Sequence, residues 1–95
     1  MKIEQIKKLK SLSHNLKPSL NIGKEGVNDG VIQSINERLE RFELIKIKFQ
    51  KNKSSKLNLS DIITKSTQSH KISIIGNTLI LYKQSSNMKY RQIKI

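Results

Sequence analysis

Ile3, Ile6, Leu9, Leu12 and Leu16 stand three or four positions apart, which gathers them on one broad face of a helix over residues 3–16. Pro18 closes that segment, since it lacks an N–H and disfavours helical geometry at Lys17. Leu20 and Ile22 then share one side of a short strand over residues 19–22. Val27, Val31, Ile35 and Leu39 repeat every fourth residue, with Ile32 and Phe42 on the same side, and predict a second amphipathic helix. Asn28 is placed to cap it and Asp29 suits its positive end.

The rhythm changes at residue 43. Ile45, Ile47 and Phe49 alternate with Lys46 and Lys48, a strand with its apolar side inward and its lysines outward. Residues 50–56 form a basic loop. Leu59, Ile62, Ile63 and Ser66 mark a weaker third helix. Residues 71–75 and 78–83 are two strands joined by Gly76-Asn77, a two-residue hairpin signal. Residues 84–95 show neither rhythm, and they are expected to form a loosely held basic tail behind a domain of residues 1–83. The order α-β-α-β-α-β-β predicts one compact α+β domain, sandwich-like, with three helices on a small four-stranded mixed sheet.

Between the first strand and the second helix lies Asn21-Ile22-Gly23-Lys24-Glu25-Gly26-Val27-Asn28-Asp29-Gly30, which holds three of the chain's four glycines. A Gly-x-x-Gly loop at that position has two readings. It is a plain strand-to-helix turn, or its backbone runs close to a sugar-phosphate chain and offers amide donors unobstructed by side chains. Charge bears on the choice. Ninety-five residues carry 19 Lys and Arg against seven Asp and Glu, a net +12. Residues 25–43 are net acidic, while the flanking segments are strongly basic. A polyanion is the natural partner, with nucleic acid ahead of an anionic membrane surface.

Other chemistry finds little footing. The chain has no cysteine and two histidines, His14 and His70, neither accompanied by a carboxylate cluster, so no metal site, cofactor site or catalytic constellation is expected. Gly23-Lys24-Glu25-Gly26 does not fit the nucleotide-binding glycine patterns. The chain has two Phe, two Tyr and no Trp. Phe42 and Phe49 fit the core pattern, which argues against a base-stacking aromatic sheet. The acids of residues 25–43 read as the solvated face of the second helix, with Glu37 and Arg41 at i, i+4 spacing. No apolar run approaches the ~20 residues that span a bilayer, and the N-terminus lacks the apolar core of a signal peptide, so a cytoplasmic monomer is expected. On a helical wheel Lys7, Lys10, His14 and Lys17 fall within roughly 80° of one another, beside the apolar face. That stripe leads through Pro18 to the glycine loop.

Leu16-Lys17-Pro18, Ile22-Gly23-Lys24-Glu25-Gly26, Gly30-Val31, Glu43-Leu44-Ile45-Lys46-Ile47-Lys48 and Ile75-Gly76-Asn77-Thr78-Leu79-Ile80-Leu81-Tyr82-Lys83 together resemble the CRM (chloroplast RNA splicing and ribosome maturation) family, in its stand-alone bacterial YhbY-like form. The resemblance spans roughly residues 5–83. It implies a fold similar to the C-terminal domain of translation initiation factor three and related in shape to KH domains. It also implies RNA binding through the glycine loop and nearby basic residues, association with ribosomal RNA in precursors of the large subunit, and no enzymatic activity. The expected contact set is Gly23, Lys24, Glu25, Gly26 and Asn28 with Lys7, Lys10, His14, Lys17, Lys46 and Lys48. Phe42 and Lys83 depart from the family's usual His and Arg. Glu25 puts a negative charge inside the loop, with a lysine as its natural partner. A general nucleic-acid or translation-factor-like binder without an assembly role, and a basic protein that binds an acidic protein or membrane surface, are the alternatives.

Overall fold

The computed structural model describes residues 1–50 and 53–95; Lys51 and Asn52 of the expected basic loop lie outside the described residues. Its elements are α1 (Ile3–Ser13), β1 (Leu20–Ile22), α2 (Asp29–Phe42), β2 (Leu44–Phe49), α3 (Lys56–Thr67), β3 (His70–Ile75) and β4 (Thr78–Tyr82), with short 3-10 turns at Lys53–Ser55 and Met88–Tyr90. The order is the one the hydrophobic rhythm predicts. The sheet runs β1-β2-β4-β3. β1 is parallel to β2, and the other pairs are antiparallel. A parallel pair needs a crossover, which α2 supplies.

Both sides of the sheet are covered. Ile45, Ile47, Phe49, Leu79 and Leu81 pack with Ile35 and Leu39 of α2 and Ile63 of α3. Leu44, Ile80, Tyr82 and Ile72 pack on the opposite side with Leu9 of α1. Successive strand residues point to opposite faces, so Lys46 and Lys48 lie on the α1 side with Leu44.

Four expectations need correction. α1 stops at Ser13, three residues early. The buried Ser13 hydroxyl donates to Lys10 O at 2.6 Å, and the next backbone bonds are tight three-residue turns from His14 to Ser11 and Leu16 to Ser13. A hydroxyl that turns back on its own helix weakens the continuing ladder, and Leu16 and Lys17 follow a turn. Phe42, expected inward, is 49% exposed, whereas Phe49 is fully buried. The chain swings away at Glu43 (φ +66°) before the last turn of α2 can lay Phe42 on the sheet. Ile62 is likewise largely exposed.

The third correction concerns residues 84–95, which are tied down rather than loose. Fully buried Glu43 accepts from Ser85 N at 2.8 Å, Gln92 N at 2.9 Å and Ile93 N at 3.3 Å. Glu40 accepts from the hydroxyls of Ser85 and Ser86 and from the amides of Ser86 and Asn87, and Ile93 joins the α1-side core. The fourth follows from it. The acids of α2 are not one solvated face. Among the described residues exposed Glu37 takes only a long contact from Gln33, 3.4 Å, whereas Glu40 and Glu43 hold the tail. Arg41 pairs with neither. Its guanidinium lies over the rings of Phe42 (5.1 Å) and Tyr90 (4.6 Å).

Candidate nucleic-acid interface

The glycine segment begins where β1 ends. Gln50 N bonds Ile22 O and Phe49 N bonds Asn77 O, so the glycine turn, the end of β2 and the Gly76-Asn77 hairpin meet at one end of the sheet. Lys48 is in register with Asn21, two residues before Gly23. Gly26 N donates to Gly23 O at 3.1 Å, which closes a turn with exposed Lys24 and Glu25 at its centre.

The two glycines differ physically. Gly26 has φ +73°, where an L side chain is strained. Gly23 has no such φ, and a Cβ built on it meets none of the described residues within 4 Å. The fold therefore demands glycine at 26 and not at 23. The space above Gly23 is clear of the described residues, and something else can approach its backbone there.

Beyond the turn, Asn28 caps α2, its side-chain oxygen accepting from Val31 N at 2.9 Å. That oxygen is thereby occupied. The amides of Lys24, Glu25, Asp29 and Gly30 have no partner among the described residues, the usual state of a helix start awaiting water or an anion. Glu25 is exposed and has no lysine partner among the described residues. With Glu25 and Asp29 beside Lys24, the turn offers hydrogen-bond donors more than net positive charge.

The positive charge lies to one side. Lys7, Lys10 and His14 are exposed along α1 and its C-terminal cap, and Lys17 is exposed in the following connection, not on the helix. Lys46 is half-buried and Lys48 exposed on the sheet side that α1 covers. The side chains of Lys7, Lys10, Lys17, Lys24, Lys46 and Lys48 have no hydrogen-bond or ion-pair partner among the described residues. Elsewhere lysines are used internally: Lys71 pairs with Asp61 at 2.8 Å, Lys56 donates to Gly76 O at 2.7 Å and Lys83 to Thr67 O at 2.9 Å. The fold thus sorts its lysines into a structural set and an uncompensated set.

A feature the sequence does not announce lies at the start of β1. A cleft of about 380 Å³ is lined by Leu12, Leu16, Lys17, Phe42, Gln92 and Ile93 among others. It exists because α1 stops early, Phe42 turns outward and the tail returns to the sheet. Among the described residues no group of three or more His, Asp or Glu is arranged to hold a metal ion, and no helix is long and apolar enough to cross a membrane.

A model of the CRS1 / YhbY (CRM) domain matches residues 1–83. The chain is 40% identical to the "Probable RNA-binding protein YqeI" of Bacillus subtilis over 82 residues, 85% of each chain. It is 33% identical to an RNA-binding protein of Haemophilus influenzae over 82 residues, 85% of this chain and 83% of that one. The solution structure of the hypothetical protein SAV1595 of Staphylococcus aureus superimposes with a TM-score of 0.77 at 34% identity, over 96% of both chains.

Proposed function

The chain belongs to the CRS1 / YhbY (CRM) domain family, and from that premise we propose that it is a non-catalytic RNA-binding protein that associates with ribosomal RNA in precursors of the large ribosomal subunit and assists their assembly. It acts as a cytoplasmic monomer and needs no metal or cofactor. The observation that carries the RNA-binding part is the pairing of six uncompensated lysines with the open space above Gly23. Lys7, Lys10, His14, Lys17, Lys46 and Lys48 supply charge to the phosphates on the α1 side. The Gly23–Gly26 turn supplies backbone donors where the strand passes closest, with Lys24 beside it and Asn28 holding the helix start in place. Glu25 points its charge to solvent.

An anionic membrane surface or an acidic protein would use the same lysines, but neither calls for a missing side chain at position 23. The names of the Bacillus and Haemophilus relatives support RNA as the polyanion. The assembly role rests on the likeness to the YhbY-type proteins.

Salt titration tests the binding mode. Log affinity for single-stranded ribosomal RNA should fall against log salt with a slope near −0.7 per phosphate contact, and a handful of contacts is expected. A flat dependence removes RNA as the partner. Sucrose-gradient sedimentation tests the cellular role: the protein should peak with large-subunit precursors. Cosedimentation with small subunits or polysomes would leave RNA binding and remove the assembly role.

A further inference from the structure

We infer that the cleft at the start of β1 receives one unpaired base of the bound RNA, a reading that rests on the RNA-binding function proposed above. Leu12, Leu16 and Phe42 are 44%, 38% and 49% exposed, and together with Ile93 they give the cleft an apolar wall. Its volume, about 380 Å³, falls within the range of pockets that take small planar ligands. An apolar wall alone names no occupant. Its surroundings do.

Lys17, one of the uncompensated lysines, stands in the cleft wall. It brings a positive charge to the cleft for a phosphate, and Lys10 and His14 precede it on the same stretch of chain. Ser19, also in the wall, is four residues from Gly23. At a strand rise of about 3.3 Å per residue this is roughly 13 Å. β1 is an edge of the sheet, so a strand held at the glycine turn can follow that edge to the cleft mouth.

The aromatic group fits the same occupant. Arg41 lies over the Phe42 and Tyr90 rings with no carboxylate partner among the described residues. The rings fix its guanidinium while its N–H donors stay available to phosphate. A base edge meets the side-chain amide of exposed Gln92, whose donor and acceptor have no internal partner among the described residues. Base–aromatic stacking tolerates any sequence because every base has a π face, so the cleft adds affinity without demanding a motif.

The test uses the full chain and a short single-stranded ribosomal RNA carrying 2-aminopurine at one position at a time. Stacking should quench the fluorophore strongly at one position, a few nucleotides from the site protected by the glycine turn. Phe42→Ala should abolish that quenching and weaken binding about tenfold, with the salt slope unchanged. Phe42→Trp should restore both. With half of Phe42 exposed the substitution leaves the cores intact, and the wild-type quenching does not depend on any variant. If the wild type binds RNA with the expected salt slope while no position is quenched and Phe42→Ala binds normally, the base site is wrong and the RNA-binding function stands. If the wild type shows no salt-dependent binding to RNA at all, the function falls and the base site with it.

Discussion

The two ends of α2 both depend on a residue with positive φ, and they solve their polar groups in opposite ways. At the entrance Gly26 supplies φ +73°, a residue made for that geometry. The amides of Lys24, Glu25, Asp29 and Gly30 beside it have no partner among the described residues. At the exit Glu43 holds φ +66°, an uncommon place for a residue with a side chain, and its buried carboxylate is surrounded by donors from the tail. One end is closed by the chain's own backbone, and the other is left with donors facing outward. A helix end that a fold leaves unfinished beside uncompensated lysines is where a partner completes the structure.

Breaking the finished end should have the largest effect. Glu43→Ala removes the acceptor of three backbone N–H groups, one buried at Ser85 and two part-buried at Gln92 and Ile93, which should cost about 3 kcal/mol. Thermal melting reads the loss, and hydrogen exchange should show Ser85, Gln92 and Ile93 released together. A variant as stable as wild type would mean the carboxylate contributes nothing net to the exit.

Charge reversal on the open side comes next. Lys7→Glu with Lys10→Glu should weaken RNA binding roughly hundredfold, two charge-assisted contacts at about 1.5 kcal/mol each, and shift the protein to the top of a sucrose gradient. Glu37→Lys should leave binding unchanged. Glu40 is a poor control, since its reversal would release the tail. A clear gain in affinity from Glu37→Lys would mean that net charge, not this face, governs binding.

The glycines sharpen the entrance. Gly23→Asp meets no steric obstacle among the described residues, so its melting should match wild type while RNA affinity drops at least tenfold, about 1.4 kcal/mol. Gly26→Asp should lose binding and also about 1–3 kcal/mol of stability from backbone strain. If Gly23→Asp binds normally, the turn is only a turn.

The smallest effect is on pH dependence. The Ser85 hydroxyl, then that of Ser86, with the Asn87 and Ser86 amides, hold the Glu40 carboxyl down to about 2 against a usual 4.5. A depressed carboxylate contributes fully above its unfolded value and loses that contribution as pH falls through the folded one. Protection of the Ser86 and Asn87 amides should therefore stay level down to about pH 4.5 and fade toward pH 2. A decline already near neutrality would assign the clamp to another group.

The entrance was legible in the sequence and the exit was not, for a physical reason. Val27, Val31, Ile35 and Leu39 share one face through local periodicity, and Asn28 and the Gly76-Asn77 turn act within a few residues. Such signals survive in a short window. Glu40 and Glu43 reach partners 42 to 50 positions away, and hydrogen bonds of that span leave no rhythm in either segment. Phe42 misled because the helical pattern holds through position 42 while the chain leaves the helix axis one residue later. The glycine turn stood out, but the difference between its two glycines needs φ, which letters do not carry.

The Glu43 site also imposes an order in time. In a chain synthesised from its N-terminus, Glu43 is in place long before Ser85, Gln92 and Ile93 exist. β4 ends at Tyr82, so β2 and β4 can align while this carboxylate lacks its donors. Loop closure over some 50 residues is then the late step. Arrival of residues 85–93 gives the carboxylate its donors and, by bringing Gln92 and Ile93 to Phe42, completes the cleft in the same event.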